Sequence, residues 1–337
     1  MTVRALERRG FLVGGLSIAG IAALTGRAPA AGPAVPLNVV MTEGTSGLTL
    51  QQMAIDQGIY KRFGVDPQVL QVSDGTKCIA ALQSGESDVC AWSGFNQIPP
   101  AIAQGATMKI LAGSLNLPSL CLYSGKPEIR SVKDLGGKVV GIGSPGSVLD
   151  QMTVLLLQKS GVNPDNVTFR NVGSNADIFR AVAAKTVDAG LSDVDVFDQQ
   201  AQFGVHALPD GLLWKRIPDY TNQGSYASDA AIKNKRDAIV RVLAAWAATY
   251  RFVSGPQSRA AFVAARAKVV GQNEEEHAVN QWTWIQKNQP YAKNLVLSDR
   301  QIDYVQQVNV NFHVQPKVLP IAEIADMSLA RDALRML

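Results

Sequence analysis

The chain has 337 residues, 32 Lys and Arg against 28 Asp and Glu, three Cys and three His, for a formal net charge of +4. An apolar share of 47% with 18% charged residues supplies a large core and excludes a disordered chain. The length predicts two domains, and so small a net charge points to nucleic acid only if the basic residues cluster on one face.

They cluster at the front instead. Arg4, Arg8, Arg9 and Arg27 stand against only Glu7 in residues 1–34, which leaves the remainder close to neutral. A small, apolar stretch follows at 11–24, shorter than the roughly 20 residues a membrane-spanning helix needs. Ala28-Pro29-Ala30 then offers a small-residue cut site. Residues 1–30 therefore read as an export signal peptide, and Arg8-Arg9-Gly10-Phe11-Leu12 has the twin-arginine form. An uncleaved membrane anchor is the competing reading. No Cys lies near the cut site, so lipid anchoring is not expected. The mature protein is expected to be soluble in the periplasm. Cys78, Cys90 and Cys121 are expected to be small buried hydrophobes with one bridge at most. No CxxC and no Cys–His spacing suggests a metal, so neither metal nor cofactor is expected.

From residue 37 short apolar runs alternate with helical periodicity. Strands are predicted at 37–41, 67–72, 89–92, 108–112 and 120–123, and helices at 49–62, 76–83 and 97–104. A second set follows: strand 138–142, helix 147–160, strand 167–172, helix 176–184 and strand 189–191. Strands alternating with helices predict mainly parallel sheets with helices on both faces. Beyond Tyr226 four successive helices are predicted, at 236–253, 257–269, 274–287 and 300–309. The segments 72–89 and 172–189 echo one another one hundred positions apart, each ending in an Asp before an apolar strand, Asp88 and Asp188. Two similar α/β units follow, whose strand ends face a common crevice.

Gly141-Ile142-Gly143-Ser144-Pro145-Gly146 matches the dinucleotide fingerprint. The acid that should end the next strand is missing, because that strand ends in Gly173-Ser174. The turn Ser144, Pro145, Gly146, Ser147 still opens a helix, and it serves equally as an anion site or an ordinary Ser cap. Ser73, Asp74, Gly75 and Thr76, and Gly173, Ser174 and Asn175, hold equivalent places in the echoed units. The polar loop after the first strand, Thr42 to Gly47, including Glu43 and Ser46, joins them. Trp92, with Ser93 and Gly94 behind it, and Tyr226 lie at strand ends where a ring can cover a ligand. Core packing is the alternative for Trp92, and for Trp214 core or interlobe packing is favoured. Trp246, Trp282 and Trp284 read as core. Catalysis finds no G-x-S-x-G, H-E-x-x-H or phosphate-binding loop, so a binding protein is expected rather than an enzyme.

Residues 53–75 (MAIDQGIYKRFGVDPQVLQVSDG), 79–91 (IAALQSGESDVCA), 131–167 and 181–193 (AVAAKTVDAGLSD) carry a resemblance. The chain resembles the substrate-binding proteins of nitrate/sulfonate/taurine-type ABC importers, a branch that includes binding proteins for thiamine pyrimidine precursors. The resemblance implies an α/β, two-lobed periplasmic-binding-protein type II fold joined by a two-segment hinge. Lobe one would take 35–122 and, on the return, 225–337; lobe two would take 123–224. It implies a monomer that closes on a small-molecule ligand and docks on an inner-membrane permease, with no nucleic acid involved. The family's cleft loops fall on residues 42–46, 73–76, 92–95, 144–147, 173–174 and Asp193. The family's pyrimidine-synthase enzymes imply a Cys-rich run that this chain lacks. Glu43, Asp74 and Asp193 suit an amine, hydroxyl or heterocycle, whereas the 144–147 helix start suits an anion. A taurine-like zwitterion or an aromatic acid fits both.

Overall fold

The computed structural model describes residues 34–221, 223–271 and 275–337. The export-signal segment lies outside the described residues. The first unit runs β1 (Val35–Thr42), α1 (Thr45–Asp56), α2 (Ile59–Arg62), β2 (Val65–Val72), α3 (Gly75–Ser84), β3 (Val89–Gly94), α4 (Ile98–Ala103) and β4 (Met108–Gly113). The second runs β5 (Leu120–Ser124), β6 (Val139–Ile142), α5 (Val148–Lys159), β7 (Thr168–Asn171), α6 (Asn175–Ala183), β8 (Ala189–Asp193), α7 (Gln200–Phe203), β9 (His206–Leu212) and α8 (Leu213–Arg216). The chain then returns through β10 (Gln223–Ser228) into α9 (Asp229–Val253), α10 (Arg259–Val270), α11 (Glu275–Asn288), α12 (Asp299–Asn311), α13 (Ile321–Ile324) and α14 (Ser328–Leu334).

Two five-stranded sheets result, ordered β2-β1-β3-β10-β4 and β7-β6-β8-β5-β9. In each, three parallel strands adjoin one antiparallel strand that arrives from the other unit's side of a crossing, β10 in the first and β5 in the second. Among the described residues the chain crosses between sheets twice, at 114–119 and 213–221. This is the two-lobed periplasmic-binding-protein type II arrangement that the resemblance implies.

The local causes are legible. Asp74 caps α3 by accepting from the Lys77 amide, and left-handed Gly85 ends it. Its buried face is Cys78, Ala81 and Leu82, at helical spacing. Ser174 with Asp177, and Ser298 with Gln301, form capping boxes on α6 and α12. The expected single helix over 49–62 is two, because Gly58 adopts φ 62 and Gln57 already caps α1. Two strands lie outside the sequence expectations, β9 and β10. Both gain their conformation from pairing, β10 between β3 and β4 and β9 against β5. All three Cys are buried thiols.

The hundred-residue echo is structural. The Asp88 amide donates to Asn38 O while its carboxylate accepts from the Asn38 amide at 3.0 Å. Asp188 makes the same pair with Val139, its carboxylate accepting at 2.7 Å. Each acid ties the parallel strand beside its own, β1 for Asp88 and β6 for Asp188, and each is paired with a lysine: Asp88 with Lys235 at 2.9 Å, Asp188 with Lys126 at 2.5 Å. Burial opposes ionisation of Asp188. The Lys126 hydrogen bond, the Val139 amide and the lysine charges outweigh it and hold the carboxyl below its usual range. A carboxyl held low when folded contributes stability above the unfolded pKa of about 3.9, and loses that contribution as pH falls through the lower folded value. Asp188→Asn should therefore lower stability at pH 7 and flatten the acid limb below about pH 4, as read by denaturant midpoints across pH. A parallel shift at every pH would reject this role.

Candidate functional site

A slot lies between the two sheets. It is lined by Ser46 of α1, Trp92 of β3, Leu115 and Ser119 of the first crossing, and Val194 just after β8. Gln281, Trp284 and Ile285 of α11, with Pro290 and Tyr291 behind it, complete the lining. Both sheets and the C-terminal helices contribute.

Trp92 reaches the slot through an irregularity in its strand. β3 pairs Val40 with Cys90 and Met41 with Trp92, so a bulge falls at Ala91. Without it, Cys90 and Trp92 would share one face, two residues apart. The bulge turns Trp92 to the face of Val89 and Ala91, while Cys90 packs on the other side with Cys78 and Tyr226. The indole is 4% exposed. It stacks on Trp246 at 5.9 Å and meets Tyr250 and Tyr291, each at 6.3 Å. Tyr250 and Tyr291 stack nearly parallel at 5.5 Å. Gly47 lies flat against Trp92: a Cβ there would stand 2.7 Å from the ring. Thr42 supports the site from below by donating to Trp92 O at 3.2 Å.

Polar groups stand at two places, one in the slot lining and one beside it. At one, Gln281, 4% exposed, donates to Ser46 Oγ at 3.0 Å and accepts from buried Arg266 at 2.7 Å. At the other, Asn175 donates to the Asp193 carboxylate. Asp193 lies near enough to Tyr291 that its charge adds to burial in pushing that phenol up. Trp284 meets Trp214 edge-on at 5.3 Å, which joins α11 to the second crossing.

Of the residues expected at the cleft, Ser46 and Trp92 line the slot directly, and Asp193 stands at its edge. Glu43 is exposed at the end of β1. Ser73, Asp74 and Thr76 form an exposed helix start bridged by Lys77, whose Nζ donates to Ser73 at 2.8 Å. Partial burial works against ionisation of Asp74, and the Lys77 amide, Ser73 hydroxyl and Lys77 charge more than offset it. Gly94 ends β3 beside Ser93. Ser93 and Tyr226 are fully buried beside Cys78 and Cys90, on the face of β3 away from the slot: Ser93 by strand alternation next to Trp92, Cys90 because of the bulge.

In the second lobe the helix starts carry acids of their own. Asp150 accepts from the Gly146 amide at 2.7 Å, and Ser147 caps α5 by accepting from Asp150 N. Gly146 has φ 76 and lies against Val314. Ser144 is exposed in the same turn. At Gly173 and Ser174 the Asp177 carboxylate accepts from the Ser174 amide and hydroxyl, which hold it low together with Arg180. A helix start already occupied by a carboxylate offers an external anion less.

Sequence reasoning missed Leu115, Ser119, Val194, Gln281, Ile285, Pro290 and Tyr291, and assigned Trp284 to the core. On α11 the apolar period is that of any amphipathic helix, and nothing local names the surface it meets. Among the described residues no cluster of three His, Cys, Asp or Glu could hold a metal, and no helix is long and apolar enough to cross a membrane.

Solved structures share the fold. The alkanesulfonate-binding protein SsuA from Xanthomonas axonopodis pv. citri bound to MOPS is 20% identical, with 87% of this chain and 99% of that chain covered and a TM-score of 0.68. The periplasmic aliphatic sulphonate binding protein SsuA from Escherichia coli is also 20% identical, with 86% and 92% covered and a TM-score of 0.68. The periplasmic nitrate-binding protein NrtA from Synechocystis PCC 6803 is 13% identical, with 91% and 90% covered and a TM-score of 0.72. No curated protein matches the sequence. The family model described as NMT1/THI5 like matches residues 48–260, well over half of the chain. The chain belongs to the NMT1/THI5-like family.

Proposed function

We propose that this protein is a periplasmic solute-binding protein that captures a small organic molecule between its lobes and delivers it to an ABC importer. The observation that carries this reading is the slot itself, lined from both sheets and from α11. Its walls include the aromatic rings of Trp92, Trp284 and Tyr291, surfaces against which part of a small organic ligand can pack. The solved structures that share the fold include proteins named for sulfonate and nitrate binding, which supports the capture role. Segments 114–119 and 213–221 form the hinge, the lobes divide near 122 and 224, and ligand selects the closed form that a permease reads. The mature chain acts as a soluble monomer and binds rather than transforms its ligand. Export follows the twin-arginine route.

Native mass spectrometry of the gently purified, leader-free protein tests this. One small molecule per chain, released intact on denaturation and rebound by the emptied protein, is the expected result. Conversion of that molecule by the pure protein would replace capture with catalysis.

A further inference from the structure

We infer that Ser46 is the specificity-determining donor of the slot: it offers its hydroxyl proton to a hydrogen-bond acceptor on the ligand, and buried Arg266 sets this polarity through Gln281. This rests on the reading of the slot as the ligand site. Arg266 is 3% exposed and a guanidinium is donor only, so the Gln281 atom that meets it at 2.7 Å is the amide oxygen. The opposite side of the same amide is then the NH2 group, which donates to Ser46 Oγ at 3.0 Å. A hydroxyl that receives this bond keeps its own proton to give. No group among the described residues takes that proton, and Ser46 lines the slot. The amide cannot flip without placing two donors face to face against Arg266 in a buried site. A second polar group beside the slot, the Asp193 carboxylate, carries the reverse polarity, since it only accepts, and its charge reaches Tyr291 of the lining. The favoured ligand thus offers an acceptor atom to Ser46 and a cationic or N–H group towards Asp193.

Two probes separate the two contacts: 4-(aminomethyl)benzoate, which carries both groups, and benzylamine, which lacks the acceptor. Trp92 and Trp284 provide the fluorescence readout. The wild-type protein should bind the first at least about tenfold more tightly, the worth of one hydrogen bond to a charged acceptor. Ser46→Ala should bring the ratio to about threefold or less by removing the donor. Gln281→Glu is the sharper variant. Its carboxylate still accepts from Arg266 but turns the Ser46 proton towards itself, so the ratio should reverse in favour of benzylamine. A purely structural Gln281 would weaken both probes alike. Binding of both probes with the wild-type ratio kept in both variants overturns the Ser46 assignment and leaves the slot in place. Failure of both probes to perturb the wild-type protein's fluorescence overturns the slot reading.

Discussion

Trp92→Ala should cost about 3–5 kcal/mol of folding stability and abolish ligand binding. The ring is nearly fully buried and touches three aromatic side chains, so truncation removes a large apolar area and leaves a cavity. The neighbours cannot collapse into it readily. Gly47 has no side chain to offer, and Trp246, Tyr250 and Tyr291 are packed against one another. Trp92→Phe keeps much of the wall and should cost less than half as much. Urea unfolding of the three proteins measures both values. A loss below about 1 kcal/mol for the alanine variant would mean that the aromatic cluster does not hold the slot in shape.

Asn309→Leu should cost about 3 kcal/mol or more, although the side chain is not part of the slot lining. Asn309 is fully buried on α12. Its amide donates to Asn96 O of the first lobe at 2.7 Å and accepts from Gln151 of α5 in the second at 2.9 Å. Tyr220 on the second crossing donates to the same Gln151 at 2.7 Å. Gln306 and Gln315 extend the network with a bond of 2.9 Å between them and another from the Leu319 amide of 2.8 Å. Leucine matches the size of asparagine but strands a buried donor on Gln151 and a buried carbonyl on Asn96, each costing about 1–3 kcal/mol. Denaturant midpoints read the loss. A near-neutral variant would show that the network relaxes without Asn309.

Much of the fold is legible along the chain because its causes are local. Asp74, Ser174 and Ser298 cap helices within three residues of themselves, whereas the sequence expectation runs through the break at Gly58 as one helix. The parallel strands 89–94 and 189–193 show as apolar runs because both their faces are covered. β9 and β10 are not legible. Their sequences, HALPDGL and QGSYAS, are polar and small, and partner strands fix them. For the site, the strand-end loops could be placed, but which of them face a ligand could not. Ser93 and Trp92 are neighbours in sequence and lie on opposite faces of the sheet. Cys90 and Trp92, two residues apart, also lie on opposite faces, and that rests on one bulge that depends on pairing with β1.

By itself the sequence determined the α/β alternation, the two echoed units that each end in an Asp before an apolar strand, and the family. Each of these rests on periodicity, capping or short motifs that act within one or two elements. Only the tertiary structure decided the slot. Its walls come from residues 46, 92, 115–119, 194 and 281–291, which the two crossings and the returning α11 bring together. No local preference encodes contacts across such separations. They follow from burying the apolar faces of both sheets and the C-terminal helices at once.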